Sequence, residues 1–120
     1  ADSGLSPAQM DVVSIYDDYP VMVLAQLQDL GFFQADNAKH FIHESIATGR
    51  VPVNTSGGQL SAGQAGAACS LHGLVEVMRQ LSNQAGEREV AQARYGLVTG
   101  YGMVEYRYGM CSTALVLEAL

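Results

Sequence analysis

The stretch Val53-Asn54-Thr55-Ser56-Gly57-Gly58-Gln59-Leu60-Ser61-Ala62-Gly63-Gln64 decides the fold of this 120-residue chain. Its glycines and hydroxyl side chains stand directly before a long amphipathic helical pattern. Glycine lets the backbone approach a ligand closely, and a helix start favours negative charge, so the arrangement favours a site for an anion or an oxyanion. Taken alone, the same residues also fit a tight loop whose turn simply requires glycine.

The residues before this stretch predict one strand and two helices. A β-branched run at 10–16 reads as a buried strand. Apolar side chains at helical spacing predict a helix over 19–30, with Pro20 in its first turn, Gly31 as its stop and Asp18 as its cap. A shorter helix is expected over 35–47, opened by Asp36 or Asn37.

The residues after the stretch predict one helix and two strands. Apolar positions repeat at i, i+3, i+4 and i+7 over 64–84, which is typical of an amphipathic helix. The runs at 95–100 and 111–117 predict strands joined through Gly102 and Gly109 into a terminal hairpin. The order strand, three helices, two strands indicates a single α/β domain.

Composition excludes several classes of protein. The net charge is −6 and the six Lys and Arg residues are scattered, which argues against nucleic acid and anionic membranes as partners. Hydrophobic residues make up 48% of the chain and charged ones 15%, so an oligomer or a partner domain is expected to cover part of the surface. We expect neither a membrane span nor a signal peptide, and we expect a cytoplasmic protein whose Cys69 and Cys111 are reduced core residues.

For the other candidate residues, a structural role explains the sequence better than a functional site. Asp17 and Asp18 are adjacent and point apart at a strand-to-helix turn, so a cap fits them better than a catalytic carboxylate pair. His40 and His43 share a helix face but lack a third ligand, and no metal site is expected. His72 is expected to be a partly buried core histidine. The loop also lacks the Lys-Ser/Thr ending of a phosphate-binding loop.

The pattern Val53-Asn54-x-x-Gly57-Gly58-x-x-x-x-Gly63-x-x-Gly66 resembles the C-terminal half of the thiolase superfamily. The phrase from Asn54 to Ser61 is similar to that of its lipid-transfer or sterol-carrier type. Two further blocks agree in order, namely Tyr16-Asp17-Asp18-Tyr19 and Gly100-Tyr101-Gly102-Met103.

The resemblance implies an α/β fold, a mixed sheet covered by helices, in an incomplete thiolase C-terminal half that lacks its first strand. Residues 1–120 would be one domain, a fragment of a longer chain whose other half carries the nucleophilic cysteine. The fragment alone is expected to be inactive. The family also implies an acyl-CoA thioester as substrate, no cofactor, a homodimer and a partner with an OB-fold and a zinc ribbon.

Two family positions depart from the usual pattern. Gln64 stands where thiolases carry a histidine, and its amide can donate a hydrogen bond but cannot shuttle a proton. Val98 falls where a second cysteine is expected. Thiolase-like aldolases that cleave steroid side chains use tyrosines instead, and Tyr16 matches one such position, although an aromatic side chain that merely packs on the next helix is the alternative for Tyr16.

The expected function is therefore acyl-CoA carbon–carbon bond chemistry in lipid or sterol metabolism, as an aldolase-type lyase or an acyltransferase relative. The candidate catalytic residues are Tyr16, Gln64 and Tyr101, and the candidate substrate-binding residues are Asn54, Gly57, Gly58, Ser61, Gly63 and Gly102. The alternatives are a catalytically silent thiolase-like subunit that binds acyl-CoA or a partner protein, and a generic α/β interaction domain.

Overall fold

A three-stranded mixed sheet forms the centre of the domain, in a computed structural model that describes residues 3–106 and 108–120. The strands are β1 (Val12–Ser14), β2 (Tyr95–Glu105) and β3 (Tyr108–Glu118), in that spatial order. β1 runs parallel to β2, and β2 runs antiparallel to β3. A parallel bridge from Val13 to Val53 brings the glycine-rich stretch to the free side of β1. The predicted α/β class is confirmed.

The helices are α1 (Pro20–Asp29), α2 (Ala38–Phe41), α3 (Gly58–Ala62) and α4 (Ser70–Leu81), with short 3₁₀ turns at Pro7–Gln9, Ala35–Asn37, Gly66–Ala68 and Gly86–Arg88 and a π turn at Ile42–Ile46. The predicted helix over 35–47 is thus a succession of three helical types. The predicted helix over 64–84 begins later, at α4. Gly63 and Gly66 have φ angles of +107° and +59°, which a right-handed helix cannot contain, and they separate α3 from α4.

The sheet buries a different apolar cluster on each face. Val13 and Leu97 point toward the side of α1 and α2, where Leu27, Phe33 and Phe41 complete one cluster. The neighbouring residues Val12 and Val98 point the other way, toward Val77 of α4. Because strand side chains alternate in direction, adjacent residues serve opposite layers, and helices cover both faces of the sheet.

Helix α4 carries apolar side chains on two faces. Leu74, Val77 and Leu81 pack toward the sheet. Leu71, Val75 and Met78 lie on the outer side and are about half exposed. The single stripe read from the sequence is therefore two stripes, and only one of them lies against this domain's own sheet.

The terminal hairpin differs from its predicted form. The strands were expected to join through Gly102 and Gly109, but both glycines lie within the paired strands, where Gly102 faces Cys111 and Gly109 faces Val104. The turn instead includes Tyr106, whose φ is +48°. The strands therefore extend past the glycines, and most of β3 is exposed.

Cys111 is consequently exposed on this edge strand, so its prediction as a core residue is wrong. Cys69 is buried as predicted, and both thiols are free. Among the described residues, no helix combines the length and apolar character that crossing a bilayer demands.

Candidate functional site

Tyr16 follows the end of β1, and two side chains hold its backbone there. Its N–H donates to Thr99 Oγ1 at 3.0 Å, and its carbonyl accepts from Gln26 Nε2 at 2.8 Å. Thr99 in turn donates to Gln26 Oε1 at 2.7 Å, so the three residues form a closed ring of hydrogen bonds. Buried backbone groups that leave a sheet need such partners, and here the partners also fix where the Tyr16 side chain begins.

Asn54 makes a similar clamp one residue earlier. Its Oδ1 accepts from the Ile15 N–H at 2.7 Å, and its Nδ2 donates to the Ile15 carbonyl at 3.0 Å. Asn54 itself has a φ of +51°, in the left-handed region that Asn tolerates better than most residues. The structure thus places this predicted substrate-binding amide on the backbone of Ile15, directly after β1, where it ties the glycine-rich stretch to the end of the strand.

The Tyr16 hydroxyl lies between two side chains of the chain's middle third. Cys69 Sγ is 3.4 Å from it, and Gln64 Nε2 donates to it at 3.2 Å. The same Gln64 nitrogen lies 3.2 Å from Asp18 Oδ1. Tyr16 is buried, whereas Gln64 is exposed at the surface end of the cluster.

Tyr101 of β2 completes the group of predicted catalytic residues. Its ring centroid lies 6.5 Å from that of Tyr16, with a tilt of 55° between the rings. A side chain at Gly109 would collide with the Tyr101 ring, so the absence of a Cβ there lets the ring lie against β3. Tyr101 also lines a groove of about 210 Å³ with Gln26 and Thr113. The fold therefore brings Tyr16, Gln64 and Tyr101 together.

The surroundings of Tyr16 raise the pKa of its phenol well above the ordinary value of 10.0. The hydrogen bond with Cys69 contributes most, and burial comes next. Asp18 adds to both, first through a hydrogen bond with the phenol and, to a smaller extent, through its negative charge, which opposes a phenolate. The hydrogen bond from Gln64 acts in the opposite direction. Near neutral pH, Tyr16 is thus a proton donor and not a ready base.

The start of α3 is occupied by the chain's own carboxylate. Asp17 is buried and accepts from the N–H groups of Gln59 at 2.8 Å and Leu60 at 3.2 Å. A side chain at Gly58 would collide with this carboxylate, and Gly58 also has a φ of +63°. These two amides therefore stabilise Asp17 and are not open to an oxyanion.

The prediction that Asp18 caps α1 is wrong. The N-cap of α1 is Tyr19, without a side-chain hydrogen bond, and the Asp18 carboxylate points to Gln64 instead. The capping carboxylate of this region is Asp17, and the helix that it caps is α3, more than forty residues away in the sequence. Local spacing could not reveal a cap that reaches between distant segments.

The remaining predicted binding residues are spread along the loop and β2. Gly57 has a φ of +89°, and a Cβ there would lie 2.8 Å from the Ser61 side chain. Gly63 and Gly102 face open space, and Ser61 is exposed. Val98 is buried against α4 and lies in the core, away from the Tyr16 hydroxyl group.

The histidines take the positions that the sequence suggested. His40 and His43 are exposed, and His72 is partly buried. Within residues 3–106 and 108–120, no cluster of three or more His, Cys, Asp or Glu side chains has the arrangement to hold a metal ion.

Sequence reasoning missed four residues that shape the site. They are Gln26, Thr99, Asp17, whose carboxylate caps α3, and Cys69, which contacts Tyr16. Two of them left a signal. Gln26 interrupts the apolar positions of α1, and Thr99 interrupts an apolar strand, and a polar residue in such a place requires a hydrogen-bond partner. Cys69 left none, because a buried thiol looks like any small apolar residue.

The order of elements, the clamp at Asn54 and the glycine-rich turn before α3 and α4 define a thiolase-type α/β domain. Residues 1–118 match the family model "Thiolase C-terminal domain-like". The chain belongs to this family, which confirms the resemblance read from the sequence.

The chain is similar in sequence to two named proteins that act on steroids. The chain is 37% identical over 101 residues to a 17-hydroxy-3-oxo-4-pregnene-20-carboxyl-CoA lyase of Mycobacterium tuberculosis, a match that covers 82% of this chain and 25% of the relative. It is 44% identical over 62 residues to a steroid side-chain-cleaving aldolase of Thermomonospora curvata, covering 50% of this chain and 16% of the relative.

A solved structure is similar to this chain in both fold and sequence. The chain superposes on a structure named Ltp2-ChsH2(DUF35) aldolase with a TM-score of 0.77 and 32% sequence identity, covering 98% of this chain and 28% of that one. The chain thus spans about a quarter of the length of the proteins that it matches over most of its residues.

Proposed function

We propose that this chain is the C-terminal domain of a thiolase-like acyl-CoA lyase of the aldolase type, acting in lipid or sterol metabolism. The observation that carries the proposal is the meeting of Tyr16, Gln64 and Tyr101 at the end of the sheet. The names of the relatives support it, because a steroid acyl-CoA lyase and a steroid side-chain-cleaving aldolase are both similar to this chain.

The proposed reaction is a retro-aldol cleavage of a 3-hydroxyacyl-CoA. A base removes the proton of the 3-hydroxyl group, the C2–C3 bond breaks, and its electron pair forms the enolate of the shortened acyl-CoA. C3 leaves as a ketone or an aldehyde. A proton delivered to C2 completes the shortened thioester, so that the proton lost by the hydroxyl group is balanced by the one gained.

Tyr16 suits the proton-donating half of this reaction. Its raised pKa keeps the phenol protonated, so it can hydrogen-bond to the developing enolate or deliver the final proton. Gln64 donates N–H groups only to neighbouring oxygen atoms and supports the phenol without exchanging protons. Tyr101 is the candidate for the second role, contact with the 3-hydroxyl group, because its ring faces Tyr16 from the neighbouring strand.

The test uses the full-length protein that contains this domain. Incubation with a 3-hydroxyacyl-CoA of a steroid side chain should release a ketone or an aldehyde, detected by mass spectrometry. Tyr16→Phe should lower kcat by about 10²- to 10⁴-fold, the usual contribution of a positioned proton donor. Tyr95→Phe is the matched control, because Tyr95 lies six residues before Tyr101 on β2 and packs beside Arg94. Full activity of Tyr16→Phe would remove Tyr16 from the mechanism.

A catalytically silent acyl-CoA-binding subunit is the second candidate. It is favoured by Gln64, which cannot take up a proton, and by the inward hydrogen bond of the Tyr16 phenol to buried Cys69. A silent subunit would bind the acyl-CoA, measurable by calorimetry, and would release no carbonyl product. The two candidates therefore differ in product formation and agree in binding.

The proposal extends to partners and location. The solved neighbour is named as a complex of Ltp2 with a DUF35 protein, so we include a partner of the OB-fold and zinc-ribbon kind for this protein, together with a homodimer. The free thiols of Cys69 and Cys111 are compatible with the cytoplasm. Size-exclusion chromatography with light scattering, on the full-length protein with and without the partner, tests both assemblies.

A further inference from the structure

Several polar side chains lie near the Tyr16 hydroxyl group. Which of them can donate a hydrogen bond determines the direction of each contact. Asp18 carries a carboxylate, which only accepts hydrogen bonds near neutral pH, so the Gln64 amide must turn its NH₂ group toward Asp18. That same NH₂ group faces the Tyr16 oxygen. The phenol oxygen therefore accepts from Gln64, and its own proton must point elsewhere.

Cys69 Sγ, at 3.4 Å, lies within hydrogen-bonding distance of the phenol and can receive this proton. The Asp18 carboxylate is the competing acceptor, because a hydrogen bond with it also raises the pKa of Tyr16. Cys69 is buried at the junction between the 3₁₀ turn Gly66–Ala68 and α4, 53 positions along the chain from Tyr16. Sulfur is a weak acceptor, so it can hold the phenol in place and still yield to a stronger acceptor such as an enolate oxygen.

We propose that Cys69 is a positioning residue for Tyr16, which fixes the direction of the phenol O–H until substrate takes its place. The inference rests on the proposed function for its role in turnover, while the contact itself is a property of the folded domain. The groups that face the phenol are Cys69, Gln64 and Asp18, with the Tyr101 ring beside it.

The experiment compares Cys69→Ala, Cys69→Ser and, as the matched control, Cys111→Ser in the full-length protein. Cys111 is a free thiol like Cys69 but is exposed on β3. The first readout is the titration of the Tyr16 ring by NMR with ¹³C-labelled tyrosine, with the signal assigned through Tyr16→Phe. The second is kcat and KM with a 3-hydroxyacyl-CoA.

Cys69→Ala should move the Tyr16 titration to lower pH, because the largest contribution that opposes ionisation is removed. It should also lower kcat by about two- to tenfold with little change in KM, the scale of one neutral hydrogen bond. Cys69→Ser, which keeps a hydrogen-bonding atom, should stay close to the parent protein in both readouts, and so should Cys111→Ser.

An unchanged titration in Cys69→Ala would overturn the proposal, because Cys69 would then only fill space. A Cys69→Ser variant as impaired as Cys69→Ala would overturn it as well, since packing of the sulfur and not hydrogen bonding would then be the cause. If the parent protein turns over no substrate, the proposed function fails, but the titration still decides whether the contact exists. Should Cys69→Ala fail to fold, Cys69→Val takes its place, because valine fills the space and cannot accept a hydrogen bond. An unchanged Tyr16 titration in Cys69→Val would then overturn the proposal.

Discussion

Gln80 and Gln64 each hold a polar cluster of this domain, and they do so in opposite ways. Gln80 of α4 is fully buried, and its Nε2 lies within 3.1 Å of Thr55 Oγ1, Glu76 Oε1 and the Arg88 carbonyl. Its Oε1 accepts from the Val90 N–H at 2.8 Å. Gln64 is exposed and donates to Tyr16 and Asp18 at 3.2 Å each.

The difference separates a structural cluster from a functional one. The Gln80 cluster ties the glycine-rich stretch and the segment after α4 to that helix, and its hydrogen-bonding groups are satisfied inside the protein. The Gln64 cluster borders solvent and includes a phenol whose oxygen lies 3.4 Å from the Cys69 sulfur. A closed cluster adds to stability, whereas an open one leaves hydrogen-bonding capacity for a ligand.

The largest effect on stability should come from Gln80→Leu. The substitution leaves the Val90 N–H, the Arg88 carbonyl and the Glu76 carboxylate with fewer partners in a buried place, and each such loss costs about 1–3 kcal/mol. We expect the free energy of unfolding to fall by about 3 kcal/mol in total, measured by urea denaturation. Gln84→Leu, at an exposed position just after α4, is the control. Equal stability of the two variants would contradict the structural role of Gln80.

Acid should weaken the same cluster by a smaller amount. Burial alone would raise the pKa of Glu76, but hydrogen bonds from Arg88, Thr55 and Gln80 outweigh it and hold the pKa below its ordinary 4.5. A lowered folded-state pKa means that this stabilisation is complete above about pH 4.5 and is lost as the pH falls through the folded-state value.

We expect this contribution to be smaller than that of Gln80, because Arg88 is 45% exposed and solvent screens the pair. Urea denaturation at pH 7 and pH 3 measures it, and Glu76→Gln should show a smaller loss between the two pH values. A Glu76→Gln variant that loses as much stability in acid as the parent would assign the effect to other carboxylates.

Gln64→Leu is the counterpart of Gln80→Leu and should barely affect folding. An exposed side chain with two long hydrogen bonds contributes little, so the free energy of unfolding should change by less than about 0.5 kcal/mol. Turnover should fall by about three- to tenfold, because the phenol loses its N–H donor. A loss of stability as large as that of Gln80→Leu would erase the distinction between the two clusters.

The sequence predicted the layers of this fold because periodicity reports burial. Val12 and Val13, or Leu97 and Val98, read as apolar runs because both sheet faces are covered. The hairpin turn was misplaced because Gly102 and Gly109 look like turn residues. Gly109 in fact makes room for the Tyr101 ring, a requirement that comes from the opposite strand and leaves no local pattern.

The candidate site was predictable only where the family resemblance pointed. Tyr16, Gln64 and Tyr101 came from aligned positions, and the fold brings them together. The hydrogen bond from Gln59 to Asp17 joins residues 42 positions apart, and the contact between Tyr16 and Cys69 joins residues 53 positions apart. No spacing rule could therefore indicate them. Asp18 was predicted to cap the nearest helix, α1, whereas it is the neighbouring Asp17 that caps a helix, and that helix is the distant α3.

The smallest expected effect is that of Asp18→Asn, and it is also the most specific. Cys69 and burial contribute most to the raised pKa of Tyr16, and the Asp18 charge adds a lesser part, so its removal should move the phenol titration slightly to lower pH. Stability should change by less than about 0.5 kcal/mol, because Asp18 caps no helix and its hydrogen bond from Gln64 is exposed. Since Asn can present either an oxygen or an NH₂ group, the Gln64 amide is free to turn over in this variant and face Tyr16 with its oxygen. The phenol would then donate to Gln64 instead of Cys69, and NMR of ¹⁵N-labelled glutamine side chains should detect the exchange between the two orientations. A single Gln64 orientation in Asp18→Asn, unchanged from the parent, would mean that Asp18 does not set the direction of this amide.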